Sequence, residues 1–411
     1  MFNKLRLLFL TETGKDTSII FVGTIINVIA GGLFFIFTPR LLGPENYGLF
    51  TLIISTTILA TNIANFGIDS GILKFAAREE LFEKILSLAF KSYLFLGAIV
   101  FLIGFLISPA IASYFNQSQI SPHLRIAFTS VIILLLTNFY VAALQVKKEF
   151  LKASLLNITS NSLRILILAL AAYFFAIGLY FITILFFAAP IVSIVLGRLF
   201  VTFKFRGEDK RFVRDFFGYN LWIASSLIIA SIPFENYFLL KVAGPIQAGI
   251  YAAPFKLLTF VHQFAGNFSR VLANRFASFD TDSKVLIFSK KSSIIVLLFS
   301  LLLLLAALVA PLVTRTLFGQ EFIGSENVFR ILSISFIFFF ASTIPISIIL
   351  YYFGKSKIIF YITLIKIIIL ILGLALFVEK YQAIGAAFSL LLAESTAFTV
   401  ATIYSFLKLK R

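Results

Sequence analysis

The chain has 411 residues, 60% of them hydrophobic and 13% charged, with a mean hydropathy of +1.03, whereas soluble domains average about 45–50% apolar and about 25% charged residues. That composition excludes an ordinary soluble fold, and the lack of Cys excludes disulfides, thiolate metal sites and cysteine nucleophiles. The formal charge of +17 is not gathered beside aromatics on a polar face, since 52 Phe are spread along the chain, so nucleic acid is not the expected partner. His123 and His262 are too few for a histidine-rich metal site.

A bilayer core about 30 Å thick needs roughly 20 apolar residues per helix. Runs of that length bounded by charge, Gly or Pro give twelve predicted spans. A basic amphipathic lead-in, MFNKLRLLFL, lacks the apolar core and cleavage site of a signal peptide. Spans 17–38, 48–70, 88–113, 124–146, 154–176 and 179–203 make a first half; 217–240, 247–275, 288–314, 328–352, 358–378 and 383–407 make a second. The connections are too short to fold independently, so any chemistry belongs in the membrane or at its surfaces. With the N-terminus inside, and cations near span ends other than Arg198 counted with the connection they adjoin, 25 of the 35 cations fall in cytoplasmic connections, 6 in external ones and 4 inside spans. Cations resist translocation, so both termini are expected in the cytoplasm.

The connection after span 1 reads Gly43-Pro44-Glu45-Asn46-Tyr47-Gly48-Leu49-Phe50, and the one after span 7 reads Gly244-Pro245-Ile246-Gln247-Ala248-Gly249-Ile250-Tyr251, a constant offset of 201. Ala176-Ile177-Gly178 and Ala383-Ile384-Gly385 give a weaker echo. Gly-Pro is turn chemistry in either place, but two matching copies half a chain apart imply a duplication. The expected organisation is an N-terminal six-helix lobe over 1–203, a cytoplasmic connector over 204–216 and a C-terminal six-helix lobe over 217–411, related as a parallel repeat. In transporters built this way the substrate path lies at the repeat interface.

The stretch from Phe37-Thr38-Pro39-Arg40-Leu41-Leu42-Gly43-Pro44 to Phe50, followed by Asn65-Phe66-Gly67-Ile68-Asp69-Ser70-Gly71-Ile72-Leu73-Lys74-Phe75, closely resembles the N-terminal signature of the polysaccharide transporter family. These are the Wzx-type flippases of the multidrug/oligosaccharidyl-lipid/polysaccharide exporter superfamily. Glu235-Asn236-Tyr237-Phe238-Leu239-Leu240 through Ala252-Ala253-Pro254-Phe255-Lys256 is similar to the second signature. The resemblance implies an all-α, V-shaped, two-lobed integral membrane protein, not an enzyme, that moves an undecaprenyl-pyrophosphate-linked oligosaccharide, such as an O-antigen repeat unit, from the cytoplasmic to the external leaflet of a prokaryotic inner membrane. Its expected partners are the lipid-linked glycan, membrane lipids, and a glycan polymerase and glycosyltransferases. The alternative is a drug, metabolite or other lipid exporter of the same superfamily, with acidic or aromatic groups in place of cationic ones. A glycan polymerase or ligase would need a large external loop bearing carboxylates or His, and the longest external connection, around 315–327, is short.

Ionisable groups at membrane depth are costly and need a reason. At 1.5 Å per residue, Arg164 and Lys366 lie roughly 16 Å deep and Lys256 roughly 14 Å, all candidates for cavity-lining cations that hold the phosphates. Arg198, near a span end, can snorkel. The chain has no phosphate-binding loop of the G-x-x-x-x-G-K-[ST] type and no other cofactor signature. An H⁺ or Na⁺ gradient is therefore the expected energy source, with Glu394 near the midplane and Glu235 nearer the outside as coupling candidates. Each deep cation has an alternative partner in Glu235, Glu394 or a backbone carbonyl. Asp69, Lys74 and Arg78 at the cytoplasmic end of span 2 are candidates for a gate, with a solvated helix end as the plainer alternative. Membrane-embedded amides such as Asn27, Asn65 and Asn161 suit either sugar hydroxyls or helix-to-helix hydrogen bonds.

Overall fold

The computed structural model describes residues 12–76, 79–207 and 210–409. The basic lead-in and Arg78 lie outside them. Among the described residues the regular structure is helical throughout, with no strand. Large side chains such as Leu106, Leu308 and Leu376 are more than 70% exposed along these helices. A water-soluble surface does not carry apolar side chains in such number, whereas a lipid-facing one does.

Among the described residues, eight helices are long and apolar enough to cross a bilayer. Two of these are double: α1, Glu12–Asn65, is broken at Gly43, and the final helix, Ser356–Leu409, is broken at Gln382. Each therefore holds two of the expected spans. The expected spans 217–240 and 247–275 are also helical but richer in polar residues. They fall on α9, Lys210–Ser231, α10, Phe234–Leu258, and α11, Phe260–Phe276. Between α1 and α9 run α2, Ile68–Phe75; α3, Glu79–Tyr114; α4, Ser121–Thr129; α5, Val131–Val146; α6, Phe150–Phe174; α7, Leu179–Ala188; and α8, Ile191–Phe200. After α11 come α12, Asp282–Leu308; α13, Ala310–Phe318; α14, Ser325–Ala341; α15, Thr343–Ser347; and α16, the broken final helix. Span 2 ends earlier than expected, because Phe66 (φ 48°) and Gly67 (φ 71°) both turn left-handed and separate α1 from α2.

The chain divides into two compact units: residues up to 34 with 50–233, and residues 35–49 with 234–411. Residues 217–233, which hydropathy assigns to the second half, thus group with the first unit, and the Gly43 region groups with the second. In the first unit buried Phe34 and Phe50 and half-buried Phe186 form a trio with ring centroids 5.7–6.3 Å apart. Residues 201–207 leave α8 as an extended strap laid along α3. The Ser87 hydroxyl donates to the Arg206 carbonyl and accepts from the Arg206 N–H, and the Arg206 guanidinium reaches Glu83 at 2.8 Å.

In the second unit the two copies of the repeated motif meet. Gly43 (φ 69°, ψ 170°) and Gly244 (φ 83°, ψ 175°) share one left-handed break, and the prolines that follow begin the next helical turn, where a missing N–H costs nothing. The helices beyond the breaks then cross at Gly48 and Gly249. A Cβ on Gly48 would lie 2.0 Å from the Pro245 carbonyl oxygen, and one on Gly249 would lie 1.9 Å from that of Pro44. Glycine here permits backbone contact, in addition to the turn role that its spacing suggests. The weaker echo does not share a geometry: Gly178 is extended just before α7, whereas Gly385 is helical and its break lies at Gln382. The two arms of α16 pack antiparallel, with Gly385 against the Phe377 carbonyl and Gly373 against Ser389.

Candidate functional site

The expected site residues are distributed over both units. In the first, Arg164 projects from α6 toward the gap between α7 and α8. That gap exists because Pro190 has no N–H to offer the carbonyl four residues back, so the Phe186 oxygen is left open. Arg164 fills the vacancy: Nε and Nη2 donate to it at 3.1 and 2.8 Å, and the guanidinium lies 4.1 Å from the Phe186 ring centroid. Nη1 donates to Asn161 Oδ1 at 2.7 Å, and Asn161 in turn donates to Asn27 on α1 at 2.7 Å. The carbonyl alternative is therefore the arrangement present, and Asn27 and Asn161 bond helix to helix.

At the other end of α1, Asp69 accepts hydrogen bonds from the Tyr93 hydroxyl and from Asn65 Nδ2 at 2.6 Å. Lys74 turns away and places its ammonium 3.4 Å from the centroid of the Tyr219 ring. The two gate candidates within the described residues are therefore not paired with each other. Asp69 belongs to an internal network tying the left-handed break after α1 to α3. Tyr93, fully buried on α3, escapes sequence reasoning because a tyrosine in an apolar run is indistinguishable from ordinary core.

The second unit gathers the remaining charges. Lys366 on the first arm of α16 reaches Glu394 on the second arm, with Nζ 2.6 Å from Oε1. Glu394 is 6% exposed, whereas the Lys366 side chain is 29% exposed, so the carboxylate is the buried partner of the pair. Glu235, at the start of α10, lies within electrostatic range of both members and has no ion-pair partner among the described residues. His262 on α11 lies within range of Lys366 and Lys256 and packs its ring 4.5 Å from Phe339 and 5.1 Å from Phe336. Lys256, in the last turn of α10, has no acidic partner among the described residues; its ammonium sits 5.5 Å from the Phe35 ring. Tyr251, from the second copy of the motif, buries a hydroxyl without a hydrogen-bond partner within range of Glu235 and Glu394. Its aromatic position matches Phe50 of the first copy, so only the additional oxygen could have marked it in the sequence.

Of the three expected phosphate-binding cations, Arg164 is thus committed to a carbonyl and an amide, Lys366 to a carboxylate, and Lys256 to no polar group among the described residues. Two acids, two lysines, a histidine and a buried phenol of the second unit each lie within electrostatic range of another member of the set.

The family model described as polysaccharide biosynthesis protein matches residues 13–280. A protein of Shigella flexneri named "Putative O-antigen transporter" is 26% identical over 375 residues, 86% of this chain and 88% of its own. Among solved structures, an inward-facing multidrug resistance transporter of the MATE family, in the MOP superfamily, superposes with a TM-score of 0.75 at 13% identity, covering 94% of each chain. The lipid II flippase MurJ in an inward closed conformation superposes with a TM-score of 0.74 at 14% identity, covering 95% of this chain and 89% of its own. At these identities the structures speak for the fold. The family match spans both signature stretches and well over half the chain; the protein is a multi-pass membrane member of the polysaccharide biosynthesis protein family, with an all-α fold like that of the MOP superfamily transporters it superposes on.

Proposed function

We propose that the protein is a flippase that carries an undecaprenyl-pyrophosphate-linked oligosaccharide from the cytoplasmic to the external leaflet of the inner membrane, with both termini in the cytoplasm. Its family, the O-antigen transporter named among its relatives and its fold likeness to a lipid II flippase all support this reading. The observation that carries it is Lys256. A lysine held at membrane depth without an acidic partner is expensive unless an anion visits it, and the pyrophosphate of a lipid-linked glycan is such an anion. Arg164, within the first unit, is a separate candidate for a fork-shaped phosphate contact when a phosphate competes for the donors now held by Phe186 and Asn161. Transport is coupled to H⁺ or Na⁺ through the second-unit cluster. Glu235 is the carboxylate free to exchange the ion, and the Lys366–Glu394 pair sets the field in which it does so. The glycan polymerase and glycosyltransferases that make and use the cargo are its functional partners.

The test is reconstitution into liposomes with a fluorescent undecaprenyl-pyrophosphate oligosaccharide. Wild-type protein is expected to flip the lipid, and Lys256→Ala to lower the rate at least tenfold while leaving the unfolding temperature within a few degrees. Undiminished flipping by Lys256→Ala removes the phosphate role. Failure of the wild type on lipid-linked sugars, together with efflux of a cationic dye, turns the assignment to a drug exporter. Imposed H⁺ and Na⁺ gradients, applied separately, identify the coupling ion, and Glu235→Gln is expected to abolish the response to it.

A further inference from the structure

The second unit contains a groove of about 220 Å³ between α12, the α14–α15 segment and the second arm of α16. It lies toward the end of the bundle at which α16 terminates, and Leu409 closes it there. Its residues on α12 run from Leu286 to Val296 and those on α16 from Phe398 to Leu409, so at 1.5 Å per residue it is about 15 Å long. Leu286, Val296, Ile344, Phe398 and Phe406 make it apolar, and Lys290 is the single charged residue in its lining.

Several observations set this groove apart from ordinary imperfect packing. The wall changes helical pitch at Ile348–Tyr352, where the Phe353 N–H bonds to the carbonyl five residues back, Ile348, at 3.0 Å. Such wide turns are rare and recur at functional positions. Thr402, in the lining, has a buried hydroxyl without a hydrogen-bond partner. Lys290 has no acidic partner among the described residues: Asp280 binds Lys284 at 3.0 Å, and Asp282 accepts from the Tyr352 hydroxyl at 2.5 Å. Beyond the groove, Ile287 and Ile294 on α12 and Ile403 and Leu407 on α16 are more than half exposed. The apolar surface therefore continues outward from the groove onto lipid-facing helix faces.

We propose that this groove is a binding site for an anionic membrane phospholipid, one acyl chain lying along the α12–α16 seam and the phosphate on Lys290. The occupant enters from the bilayer because both flanks are lipid-facing. It is anionic because the lining offers a cation without a counter-ion, and basic pockets between membrane helices favour acidic headgroups in this way. This site is distinct from the polar cluster around Lys366 and does not depend on the transport reading.

The experiment is native mass spectrometry of the full-length protein released from detergent after incubation with phosphatidylglycerol, phosphatidylethanolamine or undecaprenyl phosphate. Phosphatidylglycerol is expected to be retained over phosphatidylethanolamine. Lys290→Gln should lower its retention about fivefold, the contribution of one lysine toward an anionic headgroup, and Lys291→Gln, outside the lining, should leave it unchanged. Ser293→Phe, which fills the groove and keeps Lys290, should also release the lipid; matched thermal unfolding of all variants guards against misfolding. Equal losses in Lys290→Gln and Lys291→Gln, equal retention of the two phospholipids, or Lys290-dependent retention of undecaprenyl phosphate alone would each overturn the proposal.

Discussion

Replacing Gly48 or Gly249 with Ala probes the crossing of the two motif copies directly. A methyl group on Gly48 would lie 2.0 Å from the Pro245 oxygen, and one on Gly249 would lie 1.9 Å from the Pro44 oxygen, whereas a carbon–oxygen contact settles at about 3.3 Å. The helices must therefore separate by about 1.3 Å, and because both obstacles are backbone no rotamer change relieves them. Overpacking of this kind typically costs about 1–3 kcal/mol, and the absence of a flexible neighbour places each single substitution near the upper end. The reciprocal geometry adds a sharper expectation. The displacement that accommodates one methyl also accommodates the other, so the Gly48→Ala/Gly249→Ala double variant should be destabilised little more than either single, far from additive. Gly32→Ala and Gly266→Ala serve as controls, since no atom lies within 4 Å of a Cβ at either position; helix propensity there favours Ala by up to about 1 kcal/mol. Thermal unfolding of detergent-solubilised protein, followed by circular dichroism, reads all five. Singles that melt with the wild type, or a double variant whose loss equals the sum of the singles, would refute the reciprocal contact.

Pro190→Ala restores an N–H that competes for the Phe186 carbonyl, so Arg164→Ala should be less costly in that background than in the wild type. A double-mutant cycle on unfolding free energy is expected to give about 1.5–3 kcal/mol of coupling, the range for hydrogen bonds from a charged group, and zero coupling would dissociate the two residues. Lys366→Met alone strands a buried carboxylate and should destabilise by about 3–5 kcal/mol, whereas Lys366→Met with Glu394→Leu should recover most of that loss; chemical denaturation in mixed micelles distinguishes the cases. Tyr93→Phe removes a donor from buried Asp69 and should cost about 1–3 kcal/mol, with amide hydrogen exchange around the Phe66–Gly67 break rising before that of α5; unchanged exchange there would show that the network does not hold the break.

Hydropathy alone places helices at the twelve expected positions, eight helices among the described residues being long and apolar enough to cross a bilayer, because a bilayer constrains length and composition more tightly than water does. What it misses are the breaks inside and between spans. The turn at Phe66 is left-handed at a bulky residue, a conformation that local propensity opposes and that only the Asp69–Tyr93 network on a different helix explains. The partner of Arg164 depends on the register of α6 against α7, which no single-chain periodicity reports, although Pro190 marks in advance that the carbonyl four residues earlier needs a donor. The Lys366–Glu394 pair was open to reading as one of several combinations, since four charges at comparable depth allow more than one pairing, and the break at Gln382 decides among them by folding the two arms of α16 together. Lys256 is legible as a deep cation. That it alone among the three candidate cations lacks a polar partner among the described residues is a fact of packing.

The meeting of Gly48 with Pro245 and of Gly249 with Pro44 has the form of an isologous interface, in which each surface touches the other's counterpart of itself. Had the two motifs belonged to identical half-length subunits, one glycine codon would have served both contacts, and any change at that codon would have struck the pair at once. Joined in a single chain, the positions mutate independently, yet each still abuts the backbone of the other's motif. Divergence at this crossing is consequently constrained from both sides, because a side chain added at either glycine meets the backbone of the other copy.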